Sequence, residues 1–147
     1  MIRVYLDTCC FNRPYDIQSH LIVELETIAK LKVQELIADG EFEMVSSYIL
    51  EMENDANPYL ERKIAIESFL RYAAIDIDEN QEVIDIANTA KLSGLKTKDA
   101  LHLACAVIAR CNYFLTTDRR LLKYQDSRIK LLNPIQFLLE MEAYGYE

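Results

Sequence analysis

The stretch EFEMVSSYILEMEND, residues 41–55, changes its hydrophobic period halfway along. Through EFEMVSS, apolar and polar residues alternate as they do in a β-strand. Ser46 and Ser47 then offer side-chain oxygens suited to a helix N-cap, and YILEMEND reads as the helix they start. A strand feeding directly into a helix is a β→α unit, and the chain repeats that pattern in both directions. Upstream, IRVYLD is a short strand ending in an acid, followed by the irregular TCCFNRP. From about Asp16 to Ala38, the positions Leu21, Ile22, Leu25, Ile28, Ala29, Val33, Leu36 and Ile37 recur at helical spacing, and Asp39-Gly40 is a stop. Downstream, Asn57-Pro58 opens a helix, AAIDID is a strand, and Asp78 is placed to cap a helix running to about Leu92. A helix then begins near LKTKDALHLACAV (95–107), and Thr97 can cap it. The strand NYFLTT, the short helix DRRLLKY, the strand RIKLL and a last helix from Pro134 complete the order.

Strands that alternate with helices, with few hairpin signals, predict a mainly parallel sheet covered on both faces. No repeat, linker or low-complexity segment interrupts the 147 residues. The expectation is one domain over 1–147, an α/β fold built as a three-layer α/β/α sandwich. Half of the chain is apolar (51%), with three glycines and three prolines, a helix-rich globular composition. No apolar run approaches the roughly 20 residues of a membrane span. MIRVYLD lacks the longer apolar core of a secretory signal, so a cytoplasmic protein without a membrane partner is expected. Cys9, Cys10, Cys105 and Cys111 form no CxxC pair and no structural-zinc spacing, and read as free thiols in a reducing compartment.

A net charge of −8 argues against a nucleic-acid partner, but the charges are unevenly distributed. Acids dominate residues 24–61. Residues 91–123 instead carry Lys91, Lys96, Lys98, Arg110, Arg119, Arg120 and Lys123 around two isolated carboxylates, Asp99 and Asp118. Ligands of open parallel sheets bind beyond the C-terminal strand ends. Asp7 and Asp118 directly follow strands there, and Glu51 or Glu53 lies in the first turns of the helix after EFEMVSS. Asp99 sits at the mouth of the apolar helix Ala100–Val107, where an unpaired carboxylate is poorly tolerated. Clustered carboxylates repel unless they share protons or hold a cation, and oxygen ligands suit Mg²⁺ or Mn²⁺.

Four fragments, VYLDTCCFNRP, SSYILEMENDANP, LKTKDALHLACAV and FLTTDRRLL, together resemble the PIN-domain family of metal-dependent ribonucleases. The ordered set spans residues 1 to about 137; no single fragment is specific alone. The resemblance places the family's acids on Asp7, Asp99, Asp118 and a glutamate of LEMEN. The spacing from Ser47, with Asn54 and Pro58 following, favours Glu53, with Glu51 as the fallback. It gives Thr116 the role of steadying the last acid, and Thr8 that of steadying the first. Some members carry a further acid after the last Asp; here Arg119 and Arg120 follow, which puts a second metal site in question. His102, one turn beyond Asp99, reads as a packed or hydrogen-bonded histidine.

The resemblance implies a PIN-like fold and metal-dependent hydrolysis of RNA phosphodiester bonds, with Asp7, Glu53, Asp99 and Asp118 as catalytic and Mg²⁺- or Mn²⁺-binding residues. Arg13, Lys96, Lys98, Arg119 and Arg120 would draw in the RNA backbone. Many relatives are toxins held by a small antitoxin protein, and members commonly form homodimers. Two other readings remain: a degenerate member that binds RNA or protein without cutting, and a receiver-like binding module. The latter places paired acids early and a lysine late, and neither is found here.

Overall fold

The computed structural model describes residues 1–145. Five strands, β1 (Arg3–Leu6), β2 (Glu43–Ser47), β3 (Ile75–Ile77), β4 (Tyr113–Leu115) and β5 (Lys130–Leu132), form one sheet in the order β3-β2-β1-β4-β5. Every pairing is parallel, with Val4 aligned to Met44 on one side and to Tyr113 on the other. The helices are α1 (Thr8–Asn12), α2 (Leu21–Ala38), α3 (Tyr48–Asp55), α4 (Leu60–Leu70), α5 (Gln81–Leu92), α6 (Thr97–Ile108) and α7 (Pro134–Ala143). α5 packs on α6, and α2 on α7. The chain fills the β2–β3 side of β1 first and then crosses to β4, so the order reverses between β1 and β4. That is where a doubly wound sheet opens a crevice at its C-terminal edge.

The strands are too short to stand without cover, and their burial follows from the layers above and below. Val4, Tyr5, Leu6, Met44, Val45, Phe114 and Leu115 are fully buried. Tyr5 stacks on Phe114 at 5.2 Å between centroids, while Phe137 of α7 meets Phe42 and Tyr113 edge-on. Ser47 caps α3 by accepting from Leu50 N at 3.2 Å, a contact worth about 1 kcal/mol. The period change within residues 41–55 is therefore a real junction.

Several local expectations change. TCCFN is helical rather than irregular, and Asp7 is its N-cap residue, accepting from Thr8 N. Asn80, not Asp78, caps α5, because its Oδ1 reaches Val83 N at 3.0 Å. Thr97 is the first residue of α6 rather than its cap; Lys96 occupies the cap position without a side-chain bond. DRRLLKY yields only a 3-10 turn, Leu121–Lys123. In α2 the buried stripe runs through Glu26, Ala29, Lys30, Val33, Leu36 and Ile37. Leu21, Ile22, Leu25 and Ile28, expected on the core face, are exposed. The stripe accepts Glu26 because Arg13 closes on it at 2.8 Å and Asn133 donates to its other oxygen.

Candidate active site

Strand ends and helix starts bring the carboxylates together. Asp7 follows β1, and its backbone N–H donates to Leu115 O of β4 at 2.9 Å, pinning it at the switch point. Thr116 follows β4 and joins two acids through one hydroxyl. It donates to Asp7 Oδ2 at 3.0 Å and accepts from Asp118 N at 3.1 Å. Asp118 turns its own Oδ1 back to the backbone N–H of Arg120 at 2.9 Å. Glu53 comes from the second turn of α3, and Asp99 from the first turn of α6. Asp7, Glu53, Asp99 and Asp118 all line one cleft of about 540 Å³, together with Thr8, Lys96 and Lys98.

The two glutamates part company. One helical residue pair apart, Glu51 faces Asp76 and Asp78 at the β3 end of the sheet. Glu53 enters the cleft and accepts from His102 Nε2. His102 is almost wholly buried, and its Nδ1 lies 2.6 Å from the Tyr5 hydroxyl, which is 2.7 Å from Ser47 Oγ. One set of donors satisfies the whole chain: Ser47 to Tyr5, Tyr5 to Nδ1, and Nε2–H to Glu53. The histidine is packed and hydrogen-bonded, as its setting in an apolar helix suggests, and it also positions an acid.

Electrostatics mark this edge as crowded with negative charge. Burial, followed by the Cys9 sulfur, pushes the Asp7 carboxyl up to about 8, with His102 and Thr116 pulling the other way. Burial and the neighbouring Asp118 raise Asp99. Burial would raise Glu53 as well, but the His102 bond and charge, helped by Thr8 and Lys98, carry it below the ordinary value. Cys9 also lines the cleft, which its sequence setting did not disclose. Hydrogen bonding from Cys10, Thr116 and Thr117 lowers its thiol to about 5 against the cost of burial. Cys9 Sγ is 3.4 Å from Asp7 Oδ2, placing the thiol against the buried carboxylate. Its only sequence signal was its position two residues after the strand-ending acid.

Of the expected RNA contacts, Lys96 and Lys98 stand at the cleft. Arg119 and Arg120 are exposed just beyond Asp118, outside its lining. Arg13 is elsewhere, its guanidinium divided between Glu26 and Asp16. Thr8 lines the cleft, with Oγ1 3.4 Å from His102 Nε2.

The donor set suits a hard divalent cation in kind: four carboxylates, of which Asp7 is buried with no lysine or arginine partner among the described residues. Among the described residues, no three candidate ligands are gathered closely enough to enclose an ion as they stand. The reason is visible, because Glu53 is drawn onto His102 and Asp7 spends its oxygens on Thr8 N and Thr116. Rotation of the Glu53 carboxylate would free one ligand.

A fold with acids at this switch point is that of a nuclease-like α/β domain, and the family model for the PIN domain matches residues 4–126. The chain belongs to the PIN domain family, whose members are typically nucleases and generally use divalent metal ions. No curated protein matches the sequence. Among solved structures, the DNA-bound VapBC of Salmonella typhimurium superposes with a TM-score of 0.58 at 16% identity, covering 91% of this chain and 99% of that one. VapBC2 of Rickettsia felis, bound to a promoter DNA fragment, gives 0.59 at 15% identity over 90% and 98%. VapBC-1 of nontypeable Haemophilus influenzae gives 0.53 at 16% over 90% and 98%. At such identities the likeness is one of fold.

Proposed function

We propose that this chain is an endoribonuclease that hydrolyses RNA phosphodiester bonds with Mg²⁺ or Mn²⁺, and that it acts as the toxin of a toxin–antitoxin pair. The observation that carries this reading is the convergence of Asp7, Glu53, Asp99 and Asp118 on one cleft beside Lys96 and Lys98. Asp7, Asp99 and Asp118 would hold the cation, with Glu53 joining them once released from His102. The cation supplies charge neutralisation at the phosphodiester and a more acidic water. Thr116 keeps Asp7 and Asp118 in register, while His102 sets where the Glu53 carboxylate starts. Lys96 and Lys98, with Arg119 and Arg120 further out, would offset the repulsion an RNA backbone meets at an acidic cleft.

An antitoxin partner is supported by the structural neighbours, which are VapBC assemblies, and by the exposed apolar residues of α2. The homodimer common in the family, and a cytoplasmic location, belong to the same reading. No helix among the described residues is long and apolar enough to cross a membrane. One observation favours a second reading, a member that binds RNA or protein without cutting: Glu53 is engaged by His102. Incubating single-stranded RNA with the protein and Mn²⁺, Mg²⁺ or chelator separates the two. Metal-dependent fragments that vanish with Asp7→Asn support the nuclease; binding without fragments supports the silent module.

A further inference from the structure

A second cavity opens beside the carboxylate cleft. It measures about 440 Å³ and shares Thr8, Asn12, Glu53 and Lys98 with that cleft, so the two form one continuous depression. Its outer wall holds Tyr59 and Arg62, at the start of α4. The Arg62 guanidinium carbon lies 3.9 Å from the Tyr59 ring centroid and 4.8 Å from that of Tyr15. Lying over both tyrosine rings, the planar group is braced with its N–H edges unbonded among the described residues, an arrangement that can receive a phosphate.

The charges around it leave those edges unclaimed. Of the carboxylates lining the cavity, Asp16 is held by Arg13 and Glu53 by His102. Arg62 and Lys98 have no ion-pair partner among the described residues. Tyr59 is 56% exposed, with Arg62 over one face of its ring, so a base would stack on the other face. In the same cavity Asn54 is 7% exposed; its Nδ2 donates to Lys63 O at 3.0 Å, while its Oδ1 has no partner. A buried acceptor left unmet is uncommon and calls for a donor. A decorative surface arginine would need neither the aromatic brace nor this neighbour.

We propose that this cavity is a nucleotide subsite on the RNA path, in which Arg62 holds the phosphate adjoining the one cut and Tyr59 stacks an unpaired base. The inference rests on the ribonuclease reading and narrows its substrate to RNA that is single-stranded at this nucleotide, because a base within a duplex has no free face to offer.

The test is the affinity of the full chain for a fluorescein-labelled single-stranded hexaribonucleotide, measured by anisotropy in chelator across a salt series, so that no cleavage intervenes. Arg62→Ala and Tyr59→Ala should each weaken binding about tenfold, while Tyr59→Phe keeps wild-type affinity. The log–log salt slope should fall by about one unit in Arg62→Ala and hold in Tyr59→Ala. Melting curves identify any variant that fails to fold, and Arg62→Lys, which keeps charge but loses the planar brace, then replaces Arg62→Ala, with weaker binding and an unchanged salt slope expected. Wild-type affinity in either alanine variant overturns the subsite. Failure of the wild type to bind the hexamer overturns it as well. Neither result touches the carboxylate reading, which the metal-dependent cleavage assay with Asp7→Asn decides by itself.

Discussion

The Tyr5 hydroxyl and His102 Nδ1 lie 2.6 Å apart, linking the middle of β1 to the second turn of α6. Through this bond a core strand fixes the ring whose other nitrogen holds Glu53. Tyr5→Phe keeps the stacking on Phe114 but leaves His102 Nδ1 without its buried partner, while Ser47 Oγ retains only Leu50 N. The expected loss is about 1–3 kcal/mol, read as a lower urea midpoint with an unchanged slope. A midpoint equal to wild type would mean that water replaces the phenol.

The divergence of Glu51 and Glu53 gives a second expectation. Glu53→Gln should remove most RNA cleavage, whereas Glu51→Gln should leave it near wild type, since Glu51 faces Asp76 and not the cleft. Stability should hold or rise in Glu51→Gln, because a carboxylate raised by burial and by Asp76 is one that repels its neighbours. Cleavage rates of the two purified variants decide it; equal losses would contradict the separation.

Asp7 predicts a pH dependence. Its folded carboxyl titrates near 8 against an ordinary 3.8, so the native state binds the extra proton. For a raised acid, folding stability falls as pH rises from the unfolded value to the folded one and then levels. Metal-free Asp7→Asn should therefore gain in Tm over wild type as pH climbs from about 4 to about 8, with little difference at the acid end. A constant difference across the range would remove Asp7 as the source.

Divalent metal should relieve the same crowding. Mn²⁺ or Mg²⁺ that binds only the folded state stabilises it by about 2.7 kcal/mol at a hundred times Kd, so Tm rises with metal concentration. Asp99→Asn should lose most of that rise, because Asp99 is pushed up by burial and Asp118 when no cation is present. Identical responses of mutant and wild type would show that Asp99 is not a ligand.

The layered fold was legible because strand and helix periods are local properties, and the junction at Ser46-Ser47 carries its own cap. The acids at strand ends were legible for the same reason: a residue directly after a parallel strand can lie only at the sheet's C-terminal edge. What stayed hidden depends on side chains meeting across the chain. Glu53's attachment to His102 spans 49 residues, and the burial of Glu26 in an otherwise apolar stripe depends on Arg13 and Asn133. The α2 pattern misled because an apolar period identifies a helical face but not whether the protein itself covers that face.

The buried Glu26 has a further consequence, for the order in which the molecule is made. Arg13 precedes it, but Asn133, which also caps α7 through Ile135 N, lies 107 residues later. During synthesis the carboxylate has only one of these two partners until the segment around Asn133 has left the ribosome. Since burying it half-satisfied is costly, the seating of α2 depends on the segment that starts α7 as well as on Arg13.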